Sequence, residues 1–306
     1  MEKVLRKEKE HFTNTQSNSW NQFEKYSNLI VRVCTLWILF TLILRWIQSA
    51  LPLNYYSLKL ISVKNDYAYW LFRYTQIDRL ILQNSTSATL FTLSLFVSII
   101  LLFLFPRLWL IRFNAFVHYC IFAILNNLYI THHMHYFMLI ILFLLALLFP
   151  FRLFSYTWNA MRFYVCWLYA SAFLWKVRFG AFLDWNTGVE TVKNNMAKWV
   201  YQNPEHFLTD IIHFGIAHPF IFNFGHKLVL IAEGIFLIGF FTKKYDKLLI
   251  FSALLIFIST ALFSDVFFIE QLFIIILLFL SPHYWEKLNN ITNSIIPCNK
   301  SKGSSI

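Results

Sequence analysis

The chain has 306 residues, of which 58% are hydrophobic, 20% aromatic and only 13% charged. This composition is too apolar for a soluble domain and is typical of a polytopic membrane protein. The formal net charge of +11 comes from Lys and Arg residues scattered between apolar runs, so it indicates contact with anionic lipid headgroups rather than with nucleic acid.

The apolar runs predict an all-α, polytopic integral membrane bundle of about eight transmembrane helices, because each run approaches the ~20 apolar residues that a membrane span needs. The predicted spans are 29–51, 89–105, 108–130, 134–152, 158–177, 227–242, 246–263 and 266–281. Residues 52–88, between the first two spans, are rich in Tyr and Trp with Lys and Arg interspersed. That pattern predicts interfacial helices on the outer face of the membrane.

Short connections that contain Lys or Arg fall on one side of the predicted bundle, the side of the N-terminus. Because such residues are enriched in cytoplasmic loops, we expect both termini to be cytoplasmic. The chain then divides into an N-terminal tail (1–28), a transmembrane domain (29–285) and a C-terminal tail (286–306). Within the domain, the long segment 178–226 is rich in Phe, Trp and Ile, and we expect it to pack as a cap over the outer mouth of the bundle.

The fifth predicted span ends in Lys176, with Arg178 and the pair Asp184-Trp185 following. A cation near the end of a membrane helix can extend to the headgroups as an anchor. An ionisable group at membrane depth is also a candidate functional residue, so composition alone leaves both interpretations open. Glu233, inside the sixth predicted span, needs either a partner or a polar cavity for the same reason.

A histidine cluster lies at the start of the fourth predicted span, shortly after Asn127; its members are His132, His133 and His135. On a helix, the first and last of these share a face while His133 points elsewhere, so the segment alone does not predict a three-ligand metal site. The histidines either form hydrogen bonds at a helix start or belong to a functional site. Asn127 either orients neighbouring side chains or joins helices through hydrogen bonds.

Three blocks, in their order and spacing, resemble the membrane domain of the vitamin K-dependent gamma-carboxylases and their bacterial relatives, the horizontally transferred transmembrane (HTTM) domain family. The first runs from Asn126 to Leu139. The second joins Tyr169–Lys176 to Asp184–Gly188, and the third begins at Glu233 and closes with Ser281-Pro282. The resemblance covers most of residues 29–285 and implies a bacterial inner membrane location.

By this resemblance, Lys176 is the base that deprotonates a quinol, and His133 or His135 assists it. A lysine in a low-dielectric pocket suits this role because its neutral amine becomes available. The implied cofactor is a quinone, either menaquinone or vitamin K hydroquinone. Other residues that we expect around the substrate or cavity are Trp185, Asp184, Glu233, Asn127 and Arg178.

Two departures from the family bear on activity. The chain reads Ile258-Ser259-Thr260 where the family has a histidine, and no counterpart of the carboxylases' lumenal domain follows Pro282. We therefore expect an outward-facing lipid or quinone site that acts in the modification or maturation of a secreted polypeptide, rather than carboxylation of glutamate. Two alternatives stay open: a non-enzymatic assembly or immunity factor that binds a secreted peptide, and a membrane acyl or lipid transferase that uses the histidines.

Overall fold

The computed structural model describes residues 22–57, 70, 72, 74–131, 137–264 and 269–295. Throughout these residues the secondary structure is helical and no strand occurs, so the all-α prediction is confirmed. The α-helices are α1 (Gln22–Ile47), α2 (Pro52–Tyr55), α3 (Ile77–Leu82), α4 (Ser85–Leu104), α5 (Trp109–Asn126), α6 (Met138–Ala146), α7 (Phe154–Arg178), α8 (Thr187–Gln202), α9 (Phe207–Ala217), α10 (Pro219–Ile235), α11 (Asp246–Phe263), α12 (Ile269–Phe279) and α13 (Pro282–Ile295). A π-helical turn, Asn127–Thr131, extends α5, and a 3-10 turn, Phe236–Phe240, extends α10.

Five segments of the described chain are long and apolar enough to cross a membrane, which supports an integral membrane protein. They are Phe23–Tyr55, Ser85–Leu104, Trp109–Ile130, Pro219–Phe240 and Asp246–Phe263. The expected count of eight is not confirmed. Helices α6 and α12 have only 9 and 11 residues, and α7, although 25 residues long, is made less apolar by its Tyr, Trp, Lys and Arg side chains.

Two predicted boundaries differ from the structure for identifiable reasons. The sixth predicted span began at 227, but α10 begins at Pro219, a residue suited to the first position of a helix. His226 and Lys227 interrupt the apolar run and hide this start. At the other terminus, the predicted tail from 286 onward is helical as far as Ile295, because Pro282 starts α13 and Trp285 is fully buried against the bundle.

Contacts between helix ends divide the bundle into two ends. Arg112, near the start of α5, donates to the carbonyl oxygens of Leu147 and Phe149, just after α6, over 2.5 and 3.1 Å. At the opposite end, Arg45 in the last turn of α1 donates from Nε to Glu270 Oε1 in the first turn of α12 over 2.7 Å. We call the end where α1, α5, α7, α11 and α13 begin the basic end, and the end that contains α8 and α9 the cap end.

Candidate functional site

Lys176 and Glu233 form an ion pair at the cap end. They lie in the last turns of α7 and α10, which pack against each other. The Lys176 Nζ donates to Glu233 Oε1 over 2.5 Å, with the glutamate side chain 7% exposed and the lysine side chain 38% exposed. The pair is therefore buried on its glutamate side and partly open on its lysine side.

The pair lines a cavity of about 630 Å³ between the end of α7 and helices α8, α9, α10 and α11, which we call the cap cavity. Its volume lies within the range of small-molecule sites, roughly 300–1,000 Å³. Apolar side chains make up much of its wall: Val192, Ile211, Phe214, Ile221, Phe222, Val229 and Phe263. Eight polar residues also line it: Lys176, Thr187, Thr191, His226, Glu233, Ser259, Thr260 and Ser264.

One face of α10 supplies the central wall of the cap cavity. Its lining residues recur every three or four positions: Phe222, Gly225, His226, Val229 and Glu233. This is the spacing of residues that share a helix face. His226 lies seven residues, about two turns, before Glu233 and is the site residue that the sequence interpretation missed. That spacing could have identified His226, because it places His226 on the same helix face as Glu233.

Two buried polar atoms of this wall have no hydrogen-bond partner among the described residues: Glu233 Oε2 and His226 Nε2. Buried polar atoms in proteins nearly always have a partner, because leaving one unsatisfied costs about 1–3 kcal/mol. Polar atoms of a bound molecule can satisfy them. The cavity therefore combines an apolar wall with a small polar patch.

The turn that follows Lys176 has a specific cause. Gly180 adopts a φ of +76°, its N–H donates to the Val177 carbonyl, and the N–H of Ala181 donates to the Lys176 carbonyl, each over 3.0 Å. This is the Schellman arrangement that ends a helix with glycine. Lys227 then fixes the turn, since its buried Nζ donates to the carbonyl oxygens of Ala181 and Asp184 over 2.5 and 2.7 Å.

The cap is held to α10 by close packing around Phe222. A Cβ atom on Gly188 would lie 2.3 Å from the Phe222 carbonyl oxygen, and one on Gly215 would lie 2.3 Å from the Phe222 ring. Next to this contact, Asn223 Oδ1 accepts a hydrogen bond from the Val189 N–H over 2.9 Å. Glycine at both positions thus allows α8 and α9 to approach α10, which gives the cap cavity its outer wall.

Of the residues predicted for the site, Lys176 and Glu233 meet at the cap cavity. Asp184 and Trp185 lie exposed in the cap without lining the cavity, and the Trp185 ring packs near Phe220 at 5.9 Å. Arg178 is exposed, with its guanidinium 5.7 Å from the Trp175 ring centre. Asn127 is buried in the π-helical turn. His133 and His135 lie outside the described residues.

Two hydroxyl side chains near the end of α11 also line the cap cavity. They are Ser259 and Thr260, and the Thr260 hydroxyl donates to the Phe257 carbonyl over 3.0 Å. Among the described residues, no group of three His, Cys, Asp or Glu side chains is arranged to hold a metal ion.

Two other charged residues were missed by the sequence interpretation. Lys227 stands at the start of the sixth predicted span and Arg45 within the first, and the sequence predicted no partner for either. In the structure, Lys227 donates to the carbonyl oxygens of Ala181 and Asp184, and Arg45 donates to Glu270 Oε1. No local pattern indicates these contacts, because each partner is distant in the chain.

The chain matches no protein-family model, and comparisons with curated proteins and with solved structures gave no match. The resemblance to the HTTM family rests on the three sequence blocks.

Proposed function

We propose that this chain is an HTTM-like membrane protein whose cap cavity binds a quinone or another lipid-soluble molecule. Lys176 is the base in a reaction that modifies or matures a secreted polypeptide. The observation that carries the proposal is the Lys176–Glu233 pair at the polar patch of an otherwise largely apolar cavity. Such a cavity suits a molecule with an apolar body and one polar end.

The residues of the cap cavity fit a quinone or quinol. Phe214, Phe222 and Val229 offer apolar contact to a ring and its tail, while Glu233 Oε2 and His226 Nε2 are buried atoms in need of a polar partner. When bound, a quinol would supply a hydroxyl proton and two electrons. The protein's own contribution is to orient the hydroxyl group, to exclude water from the apolar wall and to accept the proton.

Glu233 makes the base function of Lys176 possible. The pair acts as a base in the state in which Glu233 holds the shared proton and Nζ is neutral. When the neutral Nζ accepts a proton, the pair holds two protons, one on each residue, and carries one net positive charge. Because 38% of the Lys176 side chain is accessible, that proton can leave from Nζ to solvent that reaches this side chain.

The proposed setting is a bundle of eight spans, in which α6, α7 and α12 complete the five apolar segments. At the basic end, Lys and Arg residues dominate; these are Lys25, Arg107, Arg112, Arg152, Arg162, Lys243, Lys244 and Lys247. At the cap end, acidic residues such as Asp184, Glu190 and Asp210 lie among the cations. By the positive-inside rule, the basic end and both termini face the cytoplasm of a bacterial cell, and the cap cavity opens outward.

A three-variant experiment tests the proposal. Lys176→Gln keeps a hydrogen-bond donor for Glu233 but cannot act as a base, whereas Gly225→Phe fills the cavity at a position where an added Cβ meets open space. Lys198→Gln, on the exposed surface of the cap, is the matched control. Each protein is purified in nanodiscs that contain menaquinone, bound quinone is extracted and quantified, and the masses of secreted polypeptides are compared between the producing strains.

We expect Gly225→Phe to lose most of the bound menaquinone. Lys176→Gln should retain it while the mass change of the secreted product disappears, and Lys198→Gln should match the wild type in both measurements. Equal menaquinone in the Gly225→Phe protein would reject the cap cavity as the binding site. An unchanged product from the Lys176→Gln strain would reject Lys176 as the base.

A second candidate, a non-enzymatic factor that binds a secreted peptide, is favoured by the apolar surface of the cap. Leu183, Tyr201 and Phe207 are 90, 87 and 67% exposed, and each offers apolar contact to a peptide. This function predicts that a peptide co-purifies with the wild type and that Lys176→Gln does not affect its retention. Loss of the peptide on the combined change Tyr201→Ser and Phe207→Ser would then locate the contact.

A further inference from the structure

A second cavity, of about 600 Å³, lies at the basic end. It is formed where α1, α11 and α13 begin and α12 ends, and we call it the basic cavity. Its lining includes Arg162, 14 residues before Lys176 on α7 and so about 21 Å away along the helix axis. The two cavities are therefore separate sites at opposite ends of one helix.

The described lining of the basic cavity carries excess positive charge. It contains four cations, Arg162, Lys243, Lys244 and Lys247, and one carboxylate, that of Asp246, which gives a formal charge of +3. Two helices, α11 and α13, also begin here, so the positive ends of their dipoles add to this potential. An anion is the ligand that this arrangement favours.

Arg162 is built into the wall rather than free to move. The residue is only 8% exposed and donates to the carbonyl oxygens of Gly239 and Thr242 over 2.9 and 3.2 Å. It also pairs with Asp246 Oδ1 at 2.6 Å, so the carboxylate of the cavity is already engaged. Its Nε is buried and has no partner among the described residues.

The three lysines form the open part of the cavity. The Lys243 Nζ donates to Asn159 Oδ1 over 2.8 Å, which directs it toward α7. Partial burial and the nearby Arg162 guanidinium lower the pKa of Lys243 below its ordinary value, against the opposing effect of Asp246. Lys244 and Lys247 are exposed. The cations thus repel one another, and an anionic group between them would relieve that repulsion.

The other wall of the basic cavity is apolar. Phe23, Ile250 and Leu278 line it next to the lysines. Inorganic phosphate makes no favourable contact with an apolar wall, whereas an acyl chain is stabilised by burial against it. Helix ends of a membrane bundle also lie at the depth of the lipid headgroups, so a ligand with a charged head and an apolar tail suits both walls at this position.

We propose that the basic cavity binds the phosphate-bearing headgroup of an anionic phospholipid, with the start of an acyl chain against the apolar wall. This site does not depend on the function proposed for the cap cavity.

The test compares two double variants that remove the same charge. Lys243→Gln with Lys247→Gln changes the basic cavity, and Lys193→Gln with Lys198→Gln changes exposed lysines of the cap. Binding of phosphatidylglycerol to the detergent-purified full chain is titrated by native mass spectrometry, with phosphatidylcholine as the uncharged comparison and inorganic phosphate as competitor. We expect about a tenfold or greater loss of phosphatidylglycerol affinity in the first double variant, and less than a twofold change in the second.

A third variant separates a lipid site from a simple anion site. Ile250→Trp narrows the apolar wall and leaves all four cations in place. It should weaken phosphatidylglycerol binding at least fivefold, and millimolar inorganic phosphate should not displace the lipid from the wild type. Three results would overturn the proposal: equal losses in the two double variants, equal affinity for phosphatidylcholine, or full displacement of the lipid by phosphate. Circular dichroism and size-exclusion profiles equal to those of the wild type establish that each variant is folded.

Discussion

The cap cavity and the basic cavity have nearly the same volume, about 630 and 600 Å³, but their charged residues differ in number and in pairing. In the cap cavity, the cation and the carboxylate meet in one ion pair, and the remaining wall is mostly uncharged. In the basic cavity, four cations share a single carboxylate. The first arrangement suits a neutral, largely apolar molecule, and the second suits an anion.

Lysine itself has two different roles at the two ends. Lys227 at the cap end is buried and directs its ammonium group to two backbone carbonyl oxygens. Lys247 at the basic end is exposed and makes no hydrogen bond to another described residue. The difference shows that burial with internal acceptors makes a lysine structural, while exposure beside other cations makes it available to a ligand.

The largest expected effect comes from breaking the charge balance of the cap cavity. Lys176→Met leaves the buried Glu233 carboxylate without its cation, and a buried charged group that loses its partner costs about 3 kcal/mol. We expect the free energy of unfolding to fall by that amount in detergent micelles at pH 8, measured by chemical denaturation. Lys193→Met, an exposed change in the cap, should alter it by less than about 0.5 kcal/mol.

The double variant Lys176→Met with Glu233→Leu tests whether the unpaired charge causes this loss of stability. Removing both partners removes the unpaired charge, so most of the lost stability should return. If the single Lys176→Met change is harmless, the ion pair is not what holds Glu233 in the cavity wall. If the double variant is as unstable as the single one, the loss arises from packing of the lysine stem rather than from charge.

A smaller and more local effect is expected at Lys227. Lys227→Met removes both hydrogen bonds that hold the Gly180–Asp184 turn, and bonds to a charged donor contribute about 1.5–3 kcal/mol. Amide hydrogen exchange in residues 180–189 should therefore accelerate at least tenfold. Lys247→Met, the corresponding change at the basic end, should leave exchange unchanged at both ends. Equal acceleration by the two variants would remove the distinction between structural and available lysines.

Sequence patterns predicted the helices better than the site. Each of the eight predicted spans overlaps a helix, and five of them agree with its bounds to within four residues at both ends, because long apolar runs carry their own signal. The sixth failed at its start, since His226 and Lys227 look like the edge of a span until their partners are known. The direction of a side chain inside the bundle depends on which helix is its neighbour, and no local pattern reports that.

The candidate site was predicted only in part for the same reason, because sequence patterns do not report which helices are neighbours. Glu233 and Lys176 were found separately, as charges at membrane depth, and their contact is a matter of how α7 and α10 pack. Asp184 and Trp185 were expected near the cavity because they follow Lys176 in the second block of the resemblance. The Gly180 turn instead directs them to the surface of the cap. Proximity in sequence was a poor guide once the helix had ended.

The smallest expected effect is a difference in stability between substitutions at two glycines on either side of the cap cavity. Gly188→Ala inserts a methyl group 2.3 Å from the Phe222 carbonyl oxygen, a backbone atom that cannot move without shifting α8 from α10. Overpacking of this kind costs about 1 kcal/mol or more. Gly225→Ala adds the same methyl group where nothing lies within 4 Å and improves helix propensity, so it should raise stability by about 0.5–1 kcal/mol. Thermal unfolding of both variants in one detergent should show shifts of opposite sign. Destabilisation by both would mean that α10 is packed tightly along its whole length, which would leave no open cavity beside Gly225.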